Sequence, residues 1–366
     1  MMAGLAFSVQ DQLEAKVVEE EATARRGVRC EISTSTLAPS VSTSSSPRSS
    51  LASEEGREIN IAEPVAIAKA HFISDCVAFG AGTWGPRAGQ GRMGYSVPSE
   101  LLQETMLPLL GIPEHATLEG NGMELLSIRE ELAAEGLTEA TLDATVPEHR
   151  RIVGRLLIAA AEARFGQRAI HLADTSRVSG DARYGEATVR CTRTGSTLRA
   201  AQHVVHVDKF LPGIARLHGR SGARAGAESL LDAYWPLWKQ DFTGFGITKE
   251  AAMNYVCGAS PGMLNLWVSL TPGEISQQPL AVGQALAEED LDLVSTHAVS
   301  FPGLEDTITL LRPQAVDGAP LMLRPHMRFG EVLAFSTTRT PHSAVWLEGS
   351  TEATRISAEI RLLLVD

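Results

Sequence analysis

The sequence predicts an α+β fold: a mainly helical first part, then a β-sandwich or barrel with one long insertion among its strands. Three observations carry this. Between residues 58 and 167 apolar side chains recur every three or four positions, the period of a helix buried along one face. From residue 168 onward the apolar runs become short or alternating and are separated by Gly, Pro and polar clusters, the pattern of strands and turns. Residues 209–255 then interrupt the strands with a stretch long enough to carry binding loops.

Taken in order, residues 1–32 can form one short helix, either loosely attached or docked on the main domain or on a second subunit. Residues 33–57 are rich in Ser and Thr with almost no large apolar side chains. They cannot bury enough surface to offset the entropy of ordering, so they read as a flexible linker. Residues 58–366 read as a single domain. In it, EPVAIAKAHFISDCVAFG suits a helix packed by Val65, Ala68, Phe72, Cys76 and Phe79. VPSELLQETMLPLLG suits a helix with Ser99 as N-cap and Gly111 beyond its end. EHRRIVGRLLIAAAEARFG is the strongest helix, with Ile152, Leu156, Leu157, Ala160 and Ala161 on one face and Gly166 at its C-terminus. The segments EATVRCTR, AAQHVVHVD, MLNLWVSL, APLMLRPHM, GEVLAFSTT and RISAEIRLLLV read as strands.

Composition narrows the function. A hydrophobic fraction of 44% and a charged fraction of 21% are ordinary for a soluble globular protein. A formal net charge of −12 argues against nucleic acid or an anionic membrane as the main partner. No apolar run reaches the roughly 18 residues that a membrane span needs. The four cysteines, Cys30, Cys76, Cys191 and Cys257, lack metal-finger or disulfide-framework spacing and read as thiols in a reducing compartment. The N-terminus lacks a basic-then-apolar signal and is too acidic for a transit peptide, so a cytoplasmic enzyme is the expectation.

The chemistry concentrates in QHVVHVDKF. On a strand His206 and Asp208 point one way while Val205 and Val207 point the other, into a core. His-x-Asp supplies two ligands of a two-histidine, one-carboxylate site, the usual holder of non-haem Fe(II). Alone the pair is a weak signal, since a solvated strand face produces it by chance. A third ligand is available in GEVLAFSTTRTPHSAVW as His342. In the last strand Arg355, Ser357, Glu359 and Arg361 share a face, and Arg355 lies thirteen residues after His342. A guanidinium that forks onto a carboxylate, with a hydroxyl beside it, is what a dicarboxylate co-substrate needs.

The order His206-x-Asp208, His342, Arg355-x-Ser357 resembles the Fe(II)/2-oxoglutarate-dependent oxygenase superfamily. GEVLAF followed by His and then Arg-x-Ser, together with Asn265 and Trp267 on one face of NLWVSL, is similar to its phytanoyl-CoA dioxygenase-like branch. The motif order covers about residues 200–366. The resemblance implies a double-stranded β-helix, a jelly-roll or cupin-like barrel with helices packed outside. It implies iron held by His206, Asp208 and His342. It also implies 2-oxoglutarate bound at Arg355 and Ser357, with Asn265 and Trp267 in the co-substrate site, and O2 as oxidant. No side chain beyond the metal ligands is assigned a catalytic role. Decarboxylation to succinate would accompany hydrogen removal from an unactivated C–H bond of a small molecule, an amino acid or a specialised metabolite. Because Asp208 is present, halogenation is disfavoured; hydroxylation is the default, with desaturation or ring closure open to the same site.

Other residues carry weaker signals. His203 falls on the opposite strand face from His206 and reads as structural. His326, flanked by Arg324 and Arg328, suits a turn or surface role, and Arg361 is either a second anionic anchor or a barrel-rim residue. Arg190 and Arg199 lie on strands before the iron motif. YWPLWKQDFTGFG is a lid or an aromatic anchor, and GTWGPRAGQGRMG lacks the strand-then-helix context of a phosphate loop. Two further functional readings stand beside the first: a non-haem iron oxidase that does not use 2-oxoglutarate, and a non-enzymatic cupin-like binding protein. The Arg355-x-Ser357 pair opposes one and the complete triad the other. The sequence leaves room for a homodimer.

Overall fold

The computed structural model of the chain describes residues 63–74, 101–144, 146–179, 204–258, 262–276, 278–301, 304–317, 319–349 and 355–366. The expected N-terminal helix, the linker, Ser99, the glycine-rich segment 82–94, EATVRCTR with Arg190, Arg199 and His203 lie outside the described residues. Early in the chain come strands β1 (Ala66–Ile73), β2 (Leu102–Gly111), β3 (Met123–Ser127) and β4 (Arg168–Ser179). Strands β5 (His206–Val207), β6 (Met263–Ser269), β7 (Leu280–Val282), β8 (Val294–Phe301) and β9 (Leu304–Leu311) follow. Last are β10 (Met322–Leu323), β11 (Glu331–Ser336), β12 (His342–Ala344), β13 (Trp346–Leu347) and β14 (Arg355–Val365). The helices are α1 (Leu118–Asn121), α2 (Arg129–Ala134), α3 (Pro147–Phe165), α4 (Leu211–Leu217), α5 (Ala223–Gly244) and α6 (Lys249–Cys257).

The strands form two sheets. One runs β13-β1-β2-β10-β7-β12-β5-β9-β8 and the other β3-β11-β6-β14-β4. Strand pairing is antiparallel except between β2 and β10. Alternation decides what each face of the smaller sheet does. Leu264, Leu266 and Val268 of β6, and Ile356, Ala358, Ile360 and Leu362 of β14, pack with Val153, Leu156, Leu157 and Ala161 of α3. The intervening residues, among them Asn265, Trp267, Arg355, Ser357 and Glu359, are buried too, on the other face. Helix α3 forms as its sequence predicts: Pro147 sits in the first turn, and Gly166 takes a left-handed φ of 65° that lets its N–H close on the Glu162 carbonyl. On the larger sheet Val205 and Val207 join Phe72, Phe210, Leu323 and Val345 in a second core. Between the sheets Trp267, Leu280, Val282, Leu333 and Phe335 form a third.

The structure corrects the helical reading of two segments. Residues 66–73 and 102–111 are the antiparallel pair β1 and β2, not helices, so the described part of 58–167 mixes three strands with α1, α2 and α3. In β1, Ala68, Ala70 and Phe72 are buried while Ile67 is 48% exposed, a period of two. Ala68 and Phe72 are four apart, so they satisfy the helical period as well; Ala70 between them breaks the tie. In β2, Leu107 and Leu109 are buried around Pro108, which would remove a helical hydrogen bond.

The insertion 209–255 is helical. Trp238 and Phe242 of α5 are buried against Ile170, Leu172 and Leu363, and Tyr234 stacks on Trp238 at 4.6 Å between centroids. The aromatic stretch therefore anchors the insertion to the sheets. Among the described residues no helix is long and apolar enough to cross a membrane.

Helices α4 and α5 approach each other at Gly226, where an added Cβ would sit 1.9 Å from the Leu211 carbonyl oxygen. Backbone cannot yield locally, so Gly226→Ala must force the helices apart, at about 1–3 kcal/mol or more. Gly154 in α3 has nothing within 4 Å of the same position, and Gly154→Ala should be neutral or stabilise by up to about 1 kcal/mol. Thermal unfolding should show a clear loss for the first variant and none for the second; equal melting temperatures would contradict the packing.

Candidate metal centre

His206 and His342 face each other across two strands, because the register of β12 on β5 pairs them directly. Their ring centroids are 4.3 Å apart. Asp208 lies in the turn that leads into α4, not on the strand. The strand pleat therefore cannot be what aims its carboxylate. Side-chain contacts do so, and the carboxylate still reaches both imidazoles: His206 Nε2 is 4.0 Å from Oδ1 and His342 Nε2 is 3.5 Å from Oδ2. One donor atom from each of the three residues lies within 4.8 Å of the others.

The tautomers follow from the backbone. His206 Nδ1 donates to the Val204 carbonyl at 2.8 Å and His342 Nδ1 to the Thr340 carbonyl at 3.1 Å. A carbonyl only accepts, so each Nδ1 carries a proton and Nε2 is the nitrogen directed at Asp208. Two imidazole nitrogens and one carboxylate oxygen, each oriented from behind, fit a divalent first-row metal with open coordination positions.

Asp208 is held on both oxygens. Arg361 donates to Oδ1 at 2.6 Å and Asn265 Nδ2 to Oδ2 at 2.6 Å. Thr337 fixes the amide the right way round by donating to Asn265 Oδ1 at 2.7 Å. Burial pushes the Asp208 carboxyl up, but the Arg361 guanidinium, then His342, His206 and the Asn265 hydrogen bond outweigh it and hold it far below the usual carboxylate range. The group is thereby favoured as a carboxylate, ready to accept a cation.

A second set of polar groups comes from the smaller sheet. Arg355 is buried, donates from Nη1 to the Gln278 carbonyl at 2.7 Å and from Nη2 to Ser357 Oγ at 3.5 Å, and lies 5.0 Å from the Trp267 ring centroid. Gln278 adopts a φ of 50°, a left-handed backbone that bulky residues rarely hold, and so presents its carbonyl to Arg355. The Nε1 of Trp267, though buried, has no hydrogen-bond partner among the described residues. Both sets meet in one cavity. His206, His342, Leu280 and Ala344 line it from the larger sheet and Trp267, Arg355 and Glu359 from the smaller.

The structure thus brings together the seven residues that the family resemblance assigns to the metal and co-substrate: His206, Asp208 and His342 in the triad, Asn265 behind it, and Trp267, Arg355 and Ser357 across the cavity. Sequence reasoning missed Thr337, Gln278 and the role of Glu359, and it left Arg361 undecided. The alternation Arg355-x-Ser357-x-Glu359-x-Arg361 was the available signal. His326 is exposed and hydrogen-bonds Glu274, which also accepts from Arg328, while Arg324 pairs with Glu331. None of these lines the cavity.

No family model and no curated protein matches the chain. Among solved structures it is similar to a tryptophan-to-phenylalanine variant of the iron and alpha-ketoglutarate-dependent endoperoxidase NvfI. The match has a TM-score of 0.50 and 12% identity over 84% of this chain and 99% of that one. A structure of NvfI itself matches with a TM-score of 0.49 and 12% identity, over 81% and 97% of the two chains. The likeness to the first establishes the fold: the chain is a double-stranded β-helix with helices packed outside.

If Asn265 aims Asp208, Asn265→Ala should weaken Mn(II) binding about 10–100-fold, the usual cost of losing a group behind a metal ligand. Titration followed by electron paramagnetic resonance would read this directly. Unchanged affinity would remove Asn265 from the site.

Proposed function

We propose that the protein is a non-haem Fe(II)/2-oxoglutarate-dependent oxygenase that oxidises a C–H bond of a small molecule. One observation carries the reading. A convergent His206–Asp208–His342 donor set shares one cavity with Arg355, a buried guanidinium flanked by a hydroxyl and by an indole N–H that has no partner among the described residues. The fold supports it, being that of an iron and alpha-ketoglutarate-dependent endoperoxidase.

In this reading His206, Asp208 and His342 hold the metal. Arg355 forks onto the distal carboxylate of 2-oxoglutarate, with Ser357 Oγ and the Trp267 N–H as further donors. Gln278 keeps the guanidinium in place, and the packed aromatics Trp267 and Phe335 keep water out. When bound, iron, 2-oxoglutarate and O2 supply the oxidising power; the chain supplies binding, orientation and a dry cavity. Asp208 fills a ligand position that a halide would need, so hydroxylation is the proposed outcome, with desaturation or ring closure as variants on the same site. An amino acid or specialised metabolite remains the proposed substrate class. The Asn265-x-Trp267 strand favours the phytanoyl-CoA dioxygenase-like branch. Residues 58–366 are proposed as the oxygenase domain, carried in the cytoplasm behind the N-terminal segment and linker.

The buried Arg355 disfavours an iron oxidase without 2-oxoglutarate, which would have no use for it. Anaerobic addition of Fe(II) and 2-oxoglutarate should give the weak visible charge-transfer band of a chelated keto acid, and O2 should then give succinate. Absence of both would end the proposal. His206→Ala should abolish metal binding. Arg355→Ala should leave the metal in place but weaken 2-oxoglutarate binding about 10–100-fold, the worth of a charged hydrogen-bonded anchor.

A further inference from the structure

Arg361 binds neither metal nor co-substrate in the reading above, yet it contacts the metal-binding carboxylate as closely as Asn265 does. Its Nη2 donates to Asp208 Oδ1 at 2.6 Å and to Glu359 Oε1 at 3.2 Å. One nitrogen therefore bridges two carboxylates. Glu359 is 6% exposed and lines the same cavity as His206 and His342. Register explains the arrangement: Arg361 pairs with Asn265 and Glu359 with Trp267, so all four side chains stand on the cavity face of neighbouring strands.

A second carboxylate this close to a two-histidine, one-carboxylate site is a hazard. Oxygen donors bind divalent metals readily, and a glutamate that joined the triad would fill a position the co-substrate needs. Asp208 could likewise turn both oxygens to the metal. We propose that Arg361 is a positioning residue that prevents both, holding Asp208 to one metal-facing oxygen and keeping Glu359 off the metal. This rests on the metal and 2-oxoglutarate reading above, but its own consequences separate from it. Asp208 Oδ1 is turned toward the cationic guanidinium, whereas Oδ2, the oxygen nearer His342 Nε2, accepts from the neutral Asn265 amide and keeps a second lone pair for the metal. The single positive charge also balances Glu359. The metal then meets the net charge of one carboxylate and leaves the other half of its coordination sphere to 2-oxoglutarate and O2.

The test uses the full chain and two probes. In Mn(II) titrations, Arg361→Ala should bind metal about tenfold more tightly than wild type, because a competing cation is gone and Glu359 is released to the metal. Adding Glu359→Gln to that variant should cancel the gain, since the pair of changes restores the wild-type net charge and removes the extra ligand. With Fe(II) under anaerobic conditions, Arg361→Ala should weaken 2-oxoglutarate binding at least about tenfold, read from the charge-transfer band, and the double variant should recover it. Arg361→Lys, which keeps the cation, should lie between. Metal affinity in Arg361→Ala equal to or below wild type overturns the proposal, and so does failure of Glu359→Gln to reverse the effect. Wild-type protein that binds Mn(II) but gives no band sinks the co-substrate reading alone, since the metal titrations still decide the role of Arg361.

Discussion

The pairing of β12 on β5 is the constraint on which the rest depends. It places His342 directly opposite His206, although the two are far apart in sequence, and leaves their side chains on one face of the larger sheet. Everything else in the site is arranged around that pair. Two backbone carbonyls set the tautomers, a turn delivers Asp208, and the smaller sheet brings Asn265 and Arg361 up from the other side. Such precision belongs to strands with two neighbours. β12 is pinned between β5 and β7, so a slip of one residue would turn His342 into the wrong core.

The cavity holds an unusual density of buried charge. Asp208, Glu359, Arg355 and Arg361 are all largely withdrawn from water. Isolated, each would cost several kcal/mol of desolvation, so they persist only because each is paired or hydrogen-bonded. Such a network adds little stability compared with an apolar core. What it fixes is geometry: which oxygen of Asp208 faces the histidines, and which way the Arg355 fork opens. The strain at Gln278 belongs to the same economy, since a φ of 50° puts a carbonyl where Arg355 needs a partner.

Much of this was legible in the sequence, and the limits have physical causes. Strands β6 and β14 alternate in sequence, so the pattern alone assigns Asn265 with Trp267, and Arg355 with Ser357, to one face of each strand. Helix α3 carried both its period and its caps. β1 was misread because Ala68 and Phe72 are four apart and fit both periods, and β2 because its leucines outweighed the warning in Pro108. The His206–Asp208 pair was found by assuming a strand that in fact ends at Val207. The turn happens to preserve the side that the pleat predicted. Arg361 was only half legible: alternation places it on the Arg355 face beside Glu359, but Asp208 lies 153 residues away and no local pattern marks a contact made between sheets.

The central claim is that one divalent metal sits among His206 Nε2, His342 Nε2 and a single oxygen of Asp208. A crystal of the protein grown with Mn(II) and 2-oxoglutarate, with data collected at the manganese absorption edge, tests it most directly. The account predicts one strong anomalous peak within bonding distance of those three atoms, with 2-oxoglutarate reaching from it to Arg355. A peak elsewhere, or a metal that also binds Glu359 in the wild-type protein, would contradict it.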